Sequence, residues 1–131
     1  MKKLVILITV DALRSDICGF SGILKSQTRN LDLLGKHYGT TFTQAFASGV
    51  ATPMSFPGIM CGLYPTQMNT NKLPSGKLCI ADQFRKIGFK TTAILAANPY
   101  LTEVQGYNKG FDTFIKIGDT TSKNRLKKNF A

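Results

Sequence analysis

Residues 3 to 10, KLVILITV, form a nearly unbroken apolar run rich in β-branched side chains. This pattern predicts a strand covered on both faces, at the centre of a parallel sheet. The run ends at Asp11, which puts a carboxylate at the strand's C-terminal edge, where open α/β sheets bind their ligands. A polar stretch leads to TRNLDLLGKHYG, where Leu31, Leu33 and Leu34 predict a short helix ended by Gly35 or Gly39. TFTQAFA reads as a short extended segment. From about Ser55 to Leu63 a compact helix is predicted, with Pro57 in its first turn, where proline is tolerated, and GLYPTQ stops it. In LCIADQFRKIGF, residues Leu78, Ile80, Ala81, Phe84 and Ile87 recur at helical spacing, and Gly88 suits the position just past the helix end. KTTAILAA is a second strand of the parallel type, and Asn98-Pro99 opens a loop at its C-terminal end. The order strand, helices, strand predicts an α/β layered fold.

The length of 131 residues suits one ordinary domain with a buried core. The net charge of +10 is high for that length and invites an acidic partner. Its distribution argues otherwise. Several basic residues lie in the terminal SKNRLKKNF and the rest are scattered, without an arginine-aromatic surface motif. The charge is therefore read as solvated lysines plus a polar basic tail over residues 119–131, and not as a nucleic-acid surface. Three cysteines, Cys18, Cys61 and Cys79, show no paired spacing, which suits a reducing cytoplasm better than a disulfide framework. MKKLVILITVD has the lysines and apolar run of a signal peptide, but the run stops at Asp11 without a small-residue cleavage site. No stretch is long enough to cross a bilayer. These features predict a cytoplasmic protein whose first residues are a buried strand.

The phosphate-binding glycine loop, the dinucleotide glycine motif and HExxH are all missing from the sequence. The single histidine, His37, lies on a polar helix face and reads as a surface residue, and the cysteines lack zinc-site spacing. What remains is Asp11 at the end of the first strand and Thr52 at the start of a later helix. A hydroxyl there is either a helix cap or a nucleophile placed at the positive end of a helix dipole. The pair would suit metal-assisted ester cleavage: a divalent ion held by carboxylates lowers the pKa of a coordinated hydroxyl, which then attacks phosphorus or sulfur. N–H groups of the helix start would face the transferred anion.

LVILITVDALRSD resembles the opening of the sulfatase family in the alkaline phosphatase superfamily. TRNLDLLGKHYGTTFTQAFA resembles that family's TPNLDRLAEEGVxFxNAYA segment. TPMSFPGIMCGLYPTQ is similar to its CxPSRxxLLTGxYP, FRKIGFKTTAI to its LKxAGYxTAxI, and NKGFDTF to a further signature. The resemblance spans about Leu4 to Phe114, and its parts come in family order. It implies a partial, truncated three-layer α/β/α sandwich of the alkaline phosphatase type with a mainly parallel sheet, formed by residues 1–118. Counting back from Gly62 along the family pattern puts the nucleophile on Thr52 and the motif's serine on Ser55. By the same resemblance Asp11 and Thr52 would be ligands of a divalent metal (Zn, Mn, Mg or Ca).

The chain also departs from the family pattern. Threonine cannot be oxidised to the formylglycine aldehyde that sulfatases need, and Cys61 falls on a threonine position instead. Phe56 replaces the motif's arginine, and Ala12 stands where many members carry a second aspartate. Ala96 and Asn98 stand where a lysine and a histidine are expected. These departures look like the phosphoesterase, phosphodiesterase and phosphotransferase members. Asn98 is either a donor to an ester oxygen or a turn former before Pro99.

Family members run to several hundred residues, and their remaining metal ligands come from a later half. The resemblance therefore implies the N-terminal portion of a hydrolase or transferase of phosphate or sulfate esters. On its own it is expected to hold metal weakly and to be inactive, with Phe42, Phe46 and Phe114 left exposed. Its substrate would be a small anionic ester. The alternative is a non-catalytic α/β remnant acting as an interaction module, or as half of a split enzyme whose second chain supplies the missing part.

Overall fold

The computed structural model describes residues 3–22, 25–96 and 98–118. The chain falls into two compact units, Met1–Phe46 and Ala47–Ala131. The basic tail expected over 119–131 lies outside the described residues.

In the first unit the apolar run does not become a strand. Residues 3–10 carry neither helix nor ladder; Leu4, Ile6, Ile8 and Val10 are 59–82% exposed, and Val5 and Leu7 on the alternate positions are 56–57% exposed. A strand is defined by a neighbour that takes its N–H and C=O groups. Among the described residues no ladder forms here, so strong β propensity is left without its partner. The run ends in a turn at Asp11–Ala12, and Ala12 (φ 54°) is the one described non-glycine residue in the left-handed region. Two 3-10 turns, Ser15–Ile17 and Gly19–Ser21, lead to helix α1, Arg29–Tyr38. None of its residues is buried.

What fixes α1 is Asp32 and not an apolar face. Its carboxylate accepts the Gly19 N–H at 3.0 Å, the Thr28 hydroxyl at 3.1 Å and the Ser26 hydroxyl. A Cβ at residue 19 would stand 2.3 Å from Asp32 Oδ2, so a side chain there would have to displace the carboxylate. The Ser26 bond above all, joined by those of Thr28 and Gly19, holds the Asp32 carboxyl below its ordinary range against some desolvation.

The second unit contains α2 (Thr52–Cys61), a 3-10 turn (Pro65–Gln67), α3 (Ile80–Lys86), β1 (Thr92–Leu95) and β2 (Thr113–Lys116). The strands pair in parallel, with Thr92 opposite Thr113 and Leu95 opposite Lys116. The two strands are clamped at their entry. Asp112 Oδ2 accepts the Thr91 N–H at 2.9 Å, the Thr91 hydroxyl donates to the Gly110 carbonyl at 2.8 Å, and Asp112 N–H donates to the Thr91 carbonyl at 2.9 Å. The Thr91 N–H foremost, then the Thr91 hydroxyl and the nearby Arg85 and Lys90 charges, keep the Asp112 carboxyl below its usual range.

Helix α3 begins with Asp82 accepting the Cys79 N–H at 2.9 Å, and Gly88 follows it with φ 88°, as the sequence pattern predicts. Met60, Leu73, Cys79, Leu101 and Tyr107 form the core, with Phe56, Leu95, Phe111 and Phe114 packed against them. Phe42 and Phe46 are 77% and 91% exposed as expected, whereas Phe114 is not, because β2 carries it onto that core.

Helix α2 starts at Thr52, ahead of the expected Ser55, because the Ala51 carbonyl already collects the Met54 and Ser55 N–H groups at 2.9 Å. Pro57 thus lies within the helix and not in its first turn, and it is fully buried. Gly62 in the left-handed region (φ 65°) ends α2, with its N–H on the Gly58 carbonyl at 3.0 Å.

Cys61, the last residue of α2, is bonded to Cys79, the residue before α3, with their Cα atoms 4.4 Å apart across a sequence separation of 18. This corrects the expectation of unpaired cysteines. The chain between them buries Leu63 and Leu73, and that burial brings together two thiols that no short spacing motif announces.

The described residues therefore hold a two-stranded parallel sheet and three helices. This is an α/β arrangement compatible with part of an alkaline phosphatase-like fold. The three layers and wider sheet expected of the sandwich are not among the described residues. No described helix is long and apolar enough to cross a membrane.

Candidate functional site

Thr52 is the first residue of α2. Ala51, in extended conformation (φ −142°, ψ 158°), occupies the cap position and supplies no side-chain bond. The structure therefore does not use Thr52 as a cap. Its side chain is half-buried, and its hydroxyl makes no hydrogen bond among the described residues. Ser55, one turn on, is committed: its Oγ donates back to the Ala51 carbonyl at 3.2 Å. In the same turn Pro53 has no N–H, and Met54 and Ser55 spend theirs on the Ala51 carbonyl. The Thr52 N–H and hydroxyl thus remain together at the positive end of the helix.

The rest of α2 is held tightly. The Phe56 ring meets Tyr107 edge-on at 6.2 Å between centroids, Pro57 is buried, and Cys61 carries the bond to Cys79. A Cβ on Gly58 would stand 2.4 Å from Ser48 Oγ, and one on Gly49 2.2 Å from the Met54 Cβ, so the helix lies directly on the 48–49 segment. Ser48 Oγ also donates to the Met54 carbonyl at 3.3 Å.

Asn98 follows β1 by three residues and belongs to the same unit as Thr52. Its Oδ1 accepts the Tyr100 N–H at 2.9 Å, and its own N–H donates to the Ala96 carbonyl at 2.6 Å. This is an Asx turn opening the loop at Pro99. Asp11 belongs to the first unit, where it is exposed at the turn that closes the apolar run. Close by in sequence, Arg14 Nε donates to Asp16 Oδ1 at 2.9 Å, and this bonding holds the Asp16 carboxyl low. His37 is exposed in the last turn of α1, as expected of a surface histidine.

Among the described residues no three His, Cys, Asp or Glu side chains stand close enough together to hold a metal ion. Sequence reasoning missed the Cys61–Cys79 bond and the Thr91–Asp112 clamp. For the clamp a signal existed, since NKGFDTF places Asp112 directly before a short β-prone segment. The disulfide left none.

A family model described as Sulfatase matches residues 3–130. No curated protein and no solved structure matches the chain. The match takes in the apolar run, the Asp32 helix, the Thr52 helix and the β1–β2 pair in one continuous span. On that span, covering nearly the whole sequence, the chain belongs to the sulfatase family.

Proposed function

We propose that the chain carries the N-terminal part of a hydrolase or transferase acting on phosphate or sulfate esters, with Thr52 as its nucleophile. The observation that carries this reading is the Thr52 hydroxyl, which is unbonded among the described residues at the start of α2 while the neighbouring Ser55 hydroxyl is spent on the Ala51 carbonyl. In the reaction the Thr52 oxygen bonds to the tetrahedral phosphorus or sulfur as the bond to the ester oxygen breaks; the alcohol leaves with the hydroxyl's proton, and water or an acceptor alcohol then takes the group from Thr52 and returns a proton to its oxygen. The Thr52 N–H and the helix dipole favour the negative charge that builds up there. A threonine Cβ carries a methyl group, so its oxidation would give a ketone and not an aldehyde; formylglycine chemistry is excluded at this position. Asn98, beyond the C-terminal end of β1, is proposed to contact an ester oxygen in addition to its turn duty.

Family members generally use a divalent metal ion. Asp11 and Thr52 are the proposed ligands, but two donors do not fit such an ion, which takes about four to eight. Among the described residues no three His, Cys, Asp or Glu side chains are grouped to hold such an ion. The chain alone is therefore expected to bind metal weakly and to be inactive. The test is an assay of the purified chain on nitrophenyl phosphate, its diester and nitrophenyl sulfate, with added Mn²⁺ or Zn²⁺. Robust turnover by the chain alone would overturn the inactivity. Turnover that survived Thr52→Ala would overturn the nucleophile.

A second reading, half of a split enzyme or an interaction module, has its own observation. The 4–10 run exposes apolar side chains on both faces, and Phe42 and Phe46 stand exposed in the same unit. It predicts self-association or strong binding of an apolar dye. A compact monomer that binds no dye would count against it.

A further inference from the structure

The three cysteines differ in access. Cys18 is 0% exposed and its thiol donates to the Arg14 carbonyl at 3.3 Å. Cys79 is 1% exposed and part of the core beside Met60, Leu73 and Leu101. Cys61, bonded to it, is half-buried at the last residue of α2. The residue after it, Gly62, has open space where a Cβ would stand. Of the two bonded cysteines, Cys61 is therefore the one with exposed surface, and a small thiol or disulfide from solvent meets it first.

We propose that Cys61 is a site of reversible S-thiolation by low-molecular-weight disulfides such as glutathione disulfide, with Cys79 as its resolving cysteine. In the reduced chain the Cys61 thiolate attacks one sulfur of the small disulfide, forming a mixed disulfide and releasing one thiolate. Cys79, within bonding reach, then attacks Cys61 Sγ. The Cys61–Cys79 bond forms, and the second small thiolate leaves. The two thiol protons end on the two small thiols, and two electrons pass from the protein sulfurs to the small disulfide. Reduction runs the same steps backwards, again entering at Cys61. Because α2 carries Cys61 at one end and Thr52 at the other, the oxidised form ties the Thr52 helix to α3 and the reduced form releases it.

The test uses the full chain, reduced, desalted and exposed to glutathione disulfide. Samples are quenched in acid at successive times, free thiols are alkylated, and adducts are mapped by mass spectrometry. The expected result is a glutathionyl group on the Cys61 peptide that rises and then disappears as the Cys61–Cys79 bond appears, with Cys18 unmodified. In Cys79→Ser the adduct on Cys61 persists; in Cys61→Ser it is lost. An adduct appearing first on Cys79, or one on Cys61 that never resolves in the unmutated chain, would overturn the proposal. So would adducts on Cys61 and Cys79 that form at equal rates.

Discussion

Replacing Cys79 by serine opens the one covalent cross-link among the described residues and leaves the chain between α2 and α3 free in the unfolded state. The bond spans a separation of 18 residues. Loop-closure entropy for a loop of that length is worth about 3 kcal/mol at room temperature. Cys79 is also a 1% exposed core residue, and serine is smaller and puts a hydroxyl in an apolar cluster, so the loss should not fall below that figure. With a urea m-value of about 2 kcal/mol/M, the unfolding midpoint should fall by about 1.5 M. The assay is urea unfolding of the oxidised chain, of the chain kept in reductant, and of Cys79→Ser, followed by circular dichroism. Reduction of the unmutated chain should reproduce most of the shift, because it breaks the bond without changing a side chain. Cys18→Ser should respond to reductant as fully as the unmutated chain. If the midpoint of the unmutated chain were the same with and without reductant, the cross-link would contribute nothing and the entropy argument would be refuted.

Thr52→Ala should change stability by no more than about 0.5 kcal/mol by urea unfolding, since the hydroxyl makes no bond among the described residues; a larger loss would reveal a structural duty for Thr52. Tyr107 is 3% exposed, and its hydroxyl has no hydrogen-bond partner among the described residues, so Tyr107→Phe should stabilise the chain by about 1 kcal/mol while keeping the contact with Phe56. Burial pushes the Tyr107 pKa up to about 12. Its raised folded value means stability that is complete below its unfolded pKa of about 10 and is lost as pH rises through about 12. Alkaline unfolding should therefore be shallower in Tyr107→Phe. Asp112 has a lowered pKa, so its contribution is present above the ordinary carboxylate range and is lost as pH falls through the folded value; Asp112→Asn should flatten the acid limb of a pH–stability curve.

The sequence pattern located what is decided locally. Leu31 to Leu34, and Ile80 to Ile87 with Gly88, carry their own periodicity and stop signals, and α1 and α3 formed where those signals stand. β1 was legible for the same reason, as a short β-branched run between a turn and Asn98. What escaped depends on partners distant in sequence. The 4–10 run has the composition of a central strand but no ladder among the described residues. β2 offers just TFIK to a reader, and its register is set by Asp112 reaching Thr91. The start of α2 depends on the Ala51 carbonyl, which no side-chain pattern reports. Within the candidate site, residue identities came from the family register, while only geometry separates the uncommitted Thr52 hydroxyl from the committed one of Ser55.

The turn at Ala12 deserves a different reading from the one its position first suggests. A left-handed backbone (φ 54°) costs a residue with a Cβ about 1–2 kcal/mol. Asparagine and aspartate tolerate it better than alanine because their short polar side chains can bond locally. The sulfatase-family pattern that the sequence resembles has a second aspartate at this position. The metal-binding role proposed for that aspartate and a conformational preference therefore fall on a single residue, and alanine meets neither. Ala12→Asp would relax the main chain and set a second carboxylate beside Asp11 in the same step. The two effects separate by pH: the backbone gain, read as thermal stability, persists where the carboxylates are protonated, and any gain in Mn²⁺ binding does not.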